Sequence, residues 1–221
     1  MSMPKSYAAF LFDMDGTLIS STAVTERIYT LWAETKGVDV GSLLRMMHGV
    51  RTVDVIRKLG RPDLDPVYEA EIIGKAEREE LDGVLAIPGA REFLASLPPD
   101  RWALVTSADH ELMRLRMEAA GIPLPKVIVT AENVTAGKPD PQGYRLAAQR
   151  LGVDPADCLV FEDAPAGIKA GESAGADVMV VTYTGTAPQG TGHPEIQTYL
   201  NLAIGPAESG RMALVFPVAA E

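Results

Sequence analysis

The stretch FLFDMDGTLI, residues 10–19, runs from apolar residues into two aspartates two positions apart, followed at once by Gly-Thr. Side chains alternate along a strand, so Asp13 and Asp15 project to one side and Met14 to the other. A carboxylate entering apolar surroundings must be paired, metal-bound or neutralised, or its burial is strongly unfavourable. Two acids at the end of a buried strand therefore predict a cationic compensator nearby. Gly16 allows a sharp turn there, and Thr17 can satisfy loop or carboxylate atoms. Two neighbouring acids in different environments can divide roles, Asp13 attacking while Asp15 handles protons.

Working outward, residues 7–12, 102–106, 127–130, 158–161 and 178–181 are short, continuous apolar runs rich in β-branched or aromatic residues. Their lack of alternation predicts strands buried on both faces of a parallel sheet. Helical patterns lie between them. Asp109 can cap a helix with Leu112, Leu115 and Ala119 on one face and Gly121 at its end, and Pro141 opens another that Gly152 closes. This alternation predicts an α/β fold with a doubly wound, Rossmann-like parallel sheet. Residues 20–86 break it with helical signals alone: Val24, Ile28 and Leu31 on one stripe, then residues 43–47, 53–59 and 67–81. The expected division is a core of residues 1–19 and 87–221 with an inserted α-helical subdomain, residues 20–86, over the ligand crevice. Residues 184–194 read as a loop and 212–216 as a final strand.

With 47% hydrophobic residues the chain has enough apolar material for a sizeable core. The formal net charge of −10 argues against a nucleic-acid or anionic-membrane partner. It does not oppose an anionic small ligand, because one lysine or a metal ion reverses the sign of a pocket locally. No apolar run reaches membrane-span length and no signal peptide is read, so the expected location is cytoplasmic. Cys158 is alone, which precludes an intrachain disulfide, and its neighbours predict a buried strand thiol. Oligomeric state is left open between a monomer and a small homo-oligomer.

Three further stretches place chemistry after predicted strands. ALVTS, residues 103–107, ends in hydroxyls before a helix, where Thr106 and Ser107 with backbone N–H groups suit phosphate oxygens; taken alone they read rather as helix caps. In AGKPD, residues 136–140, Pro139 constrains Lys138, which can neutralise an acidic cluster and a transferring phosphoryl group; the plainer reading is a solvated lysine. FEDAPAG, residues 161–167, ends a strand in Glu162 and Asp163, oxygen donors of the kind Mg²⁺ favours, against the alternative of a capping Asp163 and a solvated Glu162. All four stretches in this order, each after a strand, make the functional reading the stronger one.

The series FLFDMDGTLI, ALVTS, GKPDP and LVFEDAPAGI resembles the four motifs of the haloacid dehalogenase-like hydrolase superfamily, and the helical insert resembles that family's cap. HGVRT, residues 48–52, and FEDAPAGI make the likeness closest to sugar-phosphate and glycerol-3-phosphate phosphatases. The resemblance implies Asp13 as nucleophile and Asp15 as general acid and then base. It implies Thr106 holding the phosphoryl group with Ser107 beside it, and Lys138 stabilising its charge. It also implies Mg²⁺ held by Asp13, the Asp15 carbonyl and Asp163, with Glu162 direct or through water, and a small phosphorylated metabolite as substrate.

His48 and Arg51 flank Gly49 in the cap and are expected to contact the polar part of the substrate; otherwise they form a surface loop. His110 reads as a local structural residue, His193 has no identifiable partner, and Trp32 and Trp102 read as packing. A sugar phosphomutase shares these motifs, but related mutases resemble one another in a cap histidine shortly after the first motif, and residues 20–30 contain none. A dehalogenase does not use the second aspartate, and no cap lysine lies in the apolar setting a phosphonatase needs. A non-catalytic phosphometabolite-binding domain has no physical need for so costly an acidic cluster.

Overall fold

A computed structural model describes residues 5–205 and 210–216; the outer limits expected for the core, residues 1 and 221, lie outside them. Along the chain, β1 (Ser6–Tyr7) and β2 (Ala9–Phe12) lead through a turn to β3 (Ile19–Ser20). Helices α1 (Thr22–Lys36), α2 (Val40–Met47), α3 (Thr52–Lys58) and α4 (Pro66–Glu79) follow before β4 (Leu85–Ala86). Then come α5 (Ala90–Ser96), β5 (Trp102–Val105), α6 (His110–Ala119), β6 (Val127–Val129), α7 (Gln142–Leu151), β7 (Cys158–Glu162), α8 (Pro165–Ala174) and β8 (Asp177–Val181). Short strands β9 (Glu195–Ile196), β10 (Ala203–Gly205) and β11 (Met212–Val215) complete the order.

The main sheet has the order β6-β5-β2-β7-β8-β9, with every pairing parallel. Alternation along β2 sends Phe10 and Phe12 into one apolar layer and Ala9 and Leu11 into the other, so the strand is buried on both faces. In the first layer Phe12 stacks on Phe161 with ring centroids 4.5 Å apart, and Phe93 stacks on Tyr199 at 5.5 Å. Because β2 lies between β5 and β7, with Phe12 opposite both Leu104 and Phe161, the residues just beyond these three strands emerge together. The helical insert α1–α4 enters and leaves through a two-stranded antiparallel ribbon, in which Ile19 faces Ala86 and Ser20 faces Leu85. Among the described residues, no helix is long and apolar enough to cross a membrane.

Three expectations are corrected. The run 7–12 breaks at Ala8: Tyr7 pairs with Met212 in a separate antiparallel sheet of order β1-β11-β10, which also takes the expected final strand. On α1, Val24 and Ile28 are buried but Leu31 is 57% exposed, and Trp32 packs in its place with its indole N–H on Glu69 at 2.8 Å. On α6, Leu112 is buried whereas Leu115 is only partly so and Ala119 is exposed; Met113, Arg116, Met117 and Ala120 complete the inner face. The physical reason is that this face contains a paired arginine, which a count of apolar spacings passes over. Asp109 caps α6 as expected, accepting from Leu112 N at 2.8 Å.

Candidate active site

Four charged side chains meet beyond β2, β5 and β7, all buried: Asp13, Lys138, Glu162 and Asp163. Lys138 Nζ donates to Asp13 Oδ1, to Glu162 Oε1 at 2.6 Å and to the Val105 carbonyl at 3.2 Å. Tyr144 donates its hydroxyl to Glu162 Oε1 at 2.7 Å, and its ring lies under the ammonium at 5.2 Å. Asp163 Oδ1 accepts from Thr17 Oγ1 at 3.2 Å and Oδ2 accepts from Thr186 Oγ1. The plainer alternatives for this cluster fail: Glu162 is fully buried, Lys138 is not solvated, and Asp163 does not cap α8, whose N-cap is Ala164 without a side-chain bond.

Two glycines let the backbone approach this closely. Gly16 sits at φ +84°, and a Cβ there would fall 2.0 Å from Asp163 Oδ2; one on Gly167 would fall 1.7 Å from Glu162 Oε1. Three carboxylates then cluster beside one ammonium, which touches two of them, Asp13 and Glu162. Burial, followed by the Glu162 charge, holds Asp13 well above the usual carboxylate range despite Lys138, and the same two causes push Asp163 up to about 7. Burial opposes the Lys138 charge, yet the Asp13 and Glu162 carboxylates hold its proton more tightly than usual. One oxygen each from Asp13, Glu162 and Asp163 lies within 4.8 Å of the others. An all-oxygen, electron-rich donor set with excess negative charge fits a hard divalent cation.

Asp15 stands apart from this cluster, with a side chain about one-third exposed. Its Oδ1 accepts from Ser21 Oγ at 2.6 Å and from Arg116 Nη1 at 3.0 Å. Asp13 and Asp15 line a cavity of about 460 Å³ between the sheet and the helical insert, with Thr106, Ser107, His48 and Arg51 also in its wall. Thr106 Oγ1 accepts from Ala108 N at 3.1 Å, and Ser107 donates to the Gly49 carbonyl of the insert at 2.8 Å, so neither is the helix cap. His48 Nε2 lies 3.2 Å from Glu26. Arg51 donates to Asp54 at 2.7 Å and to the carbonyls of Val134 and Thr135 at 3.3 and 3.2 Å, tying the insert to the loop before Lys138.

The structure thus brings every sequence-derived site residue to the cluster or the cavity wall. His110 and His193 lie elsewhere: the His110 backbone N–H donates to Glu132 Oε2 at 3.0 Å, and His193 meets Glu172 at 3.0 Å. Sequence reasoning missed Tyr144, Thr186 and Arg116. A buried tyrosine must place its hydroxyl somewhere, which was a usable signal for Tyr144. Thr186 lay in a stretch read only as a loop, and Arg116 was hidden by its charge.

The description "haloacid dehalogenase-like hydrolase" matches residues 7–175. Hexitol phosphatase A of Escherichia coli is 39% identical over 184 residues, covering 81% of this chain and 85% of that protein. 2-Deoxyglucose-6-phosphate phosphatase 1 of Saccharomyces cerevisiae is 36% identical over 194 residues, 78% of each chain. A solved hydrolase from Pseudomonas syringae superposes with a TM-score of 0.73 at 25% identity, covering 81% of this chain and 86% of that one. Motifs, sheet order, buried acidic cluster and these likenesses agree, and the chain belongs to the haloacid dehalogenase-like hydrolase family.

Proposed function

We propose that this chain is a Mg²⁺-dependent phosphatase that hydrolyses small phosphorylated sugars or polyols through an aspartyl-phosphate on Asp13. The observation that carries the reading is the buried Asp13–Lys138–Glu162 contact beside Asp163, with Asp15 two residues on at the same cavity. The two relatives described above, a hexitol phosphatase and a sugar-phosphate phosphatase, support the substrate class.

Asp13 attacks phosphorus, and the bond to the leaving oxygen breaks with its electron pair staying on that oxygen, which takes a proton from the Asp15 carboxyl. Water then gives a proton to the Asp15 carboxylate and attacks the aspartyl-phosphate, releasing inorganic phosphate and restoring Asp13. Lys138 and the Thr106 turn stabilise charge on the phosphoryl oxygens. Asp13, Asp163 and the Asp15 carbonyl, with Glu162 direct or through water, would hold Mg²⁺. When bound, it supplies Lewis-acid stabilisation of phosphoryl charge.

Residues 20–86 serve as the cap on a core of residues 1–19 and 87–221, and His48, Arg51 and Ser107 shape the substrate side of the cavity. The lining cations already face carboxylates: Arg51 with Asp54, Arg78 with Asp109, and Arg116 with Asp15, while burial holds the His48 imidazole beside Glu26 below its ordinary range and so disfavours its charge. That pairing suits a neutral, polyhydroxy leaving group better than one bearing a second anion. Such metabolites suit a cytoplasmic enzyme.

The test is phosphate release across sugar, polyol, nucleotide, bisphosphate and phosphono substrates with Mg²⁺ or EDTA, for wild type and Asp13→Asn. Mg²⁺-dependent release from sugar or polyol monophosphates, abolished in the variant, is the expected result. Release unaffected by EDTA or by Asp13→Asn would reject the mechanism. An unchanged substrate ranking and KM after replacing His48 and Arg51 would remove them from recognition.

A further inference from the structure

Arg116 on α6 is only 3% exposed, and its guanidinium joins groups from three parts of the chain. Nη1 donates to Asp15 Oδ1 at 3.0 Å; Nη2 donates to Glu77 Oε1 on α4 at 2.9 Å and to Thr25 Oγ1 on α1 at 3.0 Å. Nε has no partner among the described residues. A buried donor left unsatisfied is unfavourable, so this orientation is set by the two acids and not by packing alone. Glu77 is itself buried, and without Arg116 its charge would have no cation in contact among the described residues.

The consequence falls on Asp15. Its Oδ1 already accepts two hydrogen bonds, from Ser21 and Arg116, whereas Oδ2 takes none among the described residues. Ser21 precedes α1 without capping it; its hydroxyl serves Asp15 instead. An oxygen accepting two donors is the less favourable place for a proton, which leaves Oδ2 as the atom to carry it.

We propose that Arg116 is a positioning residue that fixes Oδ1 of Asp15 and thereby presents Oδ2 as the proton-carrying atom, with Glu77 making this arrangement depend on α4 being docked against the core. The inference rests on Asp15 being the proton carrier of the phosphatase proposed above. It requires no new reactant: the proton still passes from Asp15 to the leaving alcohol oxygen, and Arg116 donates hydrogen bonds throughout.

Leaving-group dependence tests it. An alkyl phosphate such as a hexitol or sugar monophosphate needs a proton on its departing oxygen, while p-nitrophenyl phosphate releases a stable anion. We would measure kcat/KM, which covers binding through leaving-group departure, for both substrates with wild type, Asp15→Asn, Arg116→Met, Arg116→Lys and Glu77→Gln. Arg116→Met is expected to lower the alkyl-phosphate value about 100-fold and the p-nitrophenyl value less than about 5-fold, because only the first needs the positioned acid. Arg116→Lys, which cannot span both acids with a planar fork, and Glu77→Gln should show the same selectivity in smaller degree. Equal losses on both substrates, or no loss, would overturn the positioning role. Should thermal melting show that Arg116→Met does not fold, the Glu77→Gln result decides, and its lack of selectivity overturns the proposal. Asp15→Asn separates the two readings. If it is unselective, the proton-carrier reading fails and takes this inference with it; if it is selective while the Arg116 and Glu77 variants are not, only the positioning role fails.

Discussion

Lys138 and Arg116 are both buried cations at the same cavity, but they answer to different parts of the chain. Lys138 touches Asp13 and Glu162, which follow or end neighbouring strands of one sheet, so its carboxylate partners all come from the core. Arg116 reaches from a core helix to Asp15 on one side and to Glu77 of the helical insert on the other. The first group has three carboxylates within 4.8 Å of one another, more charge than one ammonium offsets. The second sets two carboxylates against a guanidinium that can reach both at once. The lesson is that the core preforms an electrostatically incomplete site suited to a cation, whereas the contacts around Asp15 are completed only where insert and core meet.

The largest expected effect is that of Lys138→Met. Among the described residues it is the one cation in contact with the buried acidic cluster, and removing it should cut turnover by about 10³-fold or more. Unlike the Arg116 variants, it should affect alkyl and aryl phosphates alike, and a selective loss would erase the contrast between the two cations. Gly167→Ala comes next. Its Cβ would meet Glu162 at 1.7 Å, so Glu162 or α8 must shift, with an expected loss of about 1–3 kcal/mol in denaturant unfolding and of Mg²⁺-dependent turnover. Unchanged stability and activity would mean that the cluster is looser than its geometry indicates.

A smaller effect sharpens the electrostatic half of the comparison. Asp163 stands at about 7 in the folded chain against an ordinary 3.8, so the folded state binds its proton more tightly than the unfolded state does. That contribution favours the metal-free fold at acid pH and is lost as pH rises from 3.8 towards 7. A cation needs the carboxylate form, so the rise in melting temperature produced by Mg²⁺ should be larger near about pH 8 than near about pH 5.5. An equal rise at both would remove Asp163 from the cation site. Smallest of all, Ser21→Ala removes one of two donors on Asp15 Oδ1 while leaving Arg116, and should lower kcat/KM for alkyl phosphates by about 2- to 10-fold, the scale of one hydrogen bond. A loss as large as that of Arg116→Met would shift the positioning role to Ser21.

The acids after β2 and β7, the hydroxyls after β5 and the lysine after β6 were legible because each belongs to a local pattern: an apolar run, a turn signal, and a polar group that burial makes costly. The same locality revealed the α/β alternation and the helical interruption. It failed where burial depended on a distant partner. Arg116 is buried because Asp15, 101 residues away, and Glu77, 39 residues away, neutralise it, and no period within α6 records either. Likewise the run 7–12 carries no mark of its break at Ala8, which comes from the pairing of Tyr7 with Met212.

The sequence by itself therefore determined the alternation of buried strands and helices, the helical block between the first two strands of that alternation and the chemical groups at the strand ends, since these follow from neighbours a few residues apart. Only the tertiary structure decided which groups touch: β2 lies between β5 and β7, Tyr144 and Thr186 join the acids, and the insert grips Asp15 through Arg116. Charge compensation inside a protein acts through space over a few ångströms, and separation along the chain does not encode that distance.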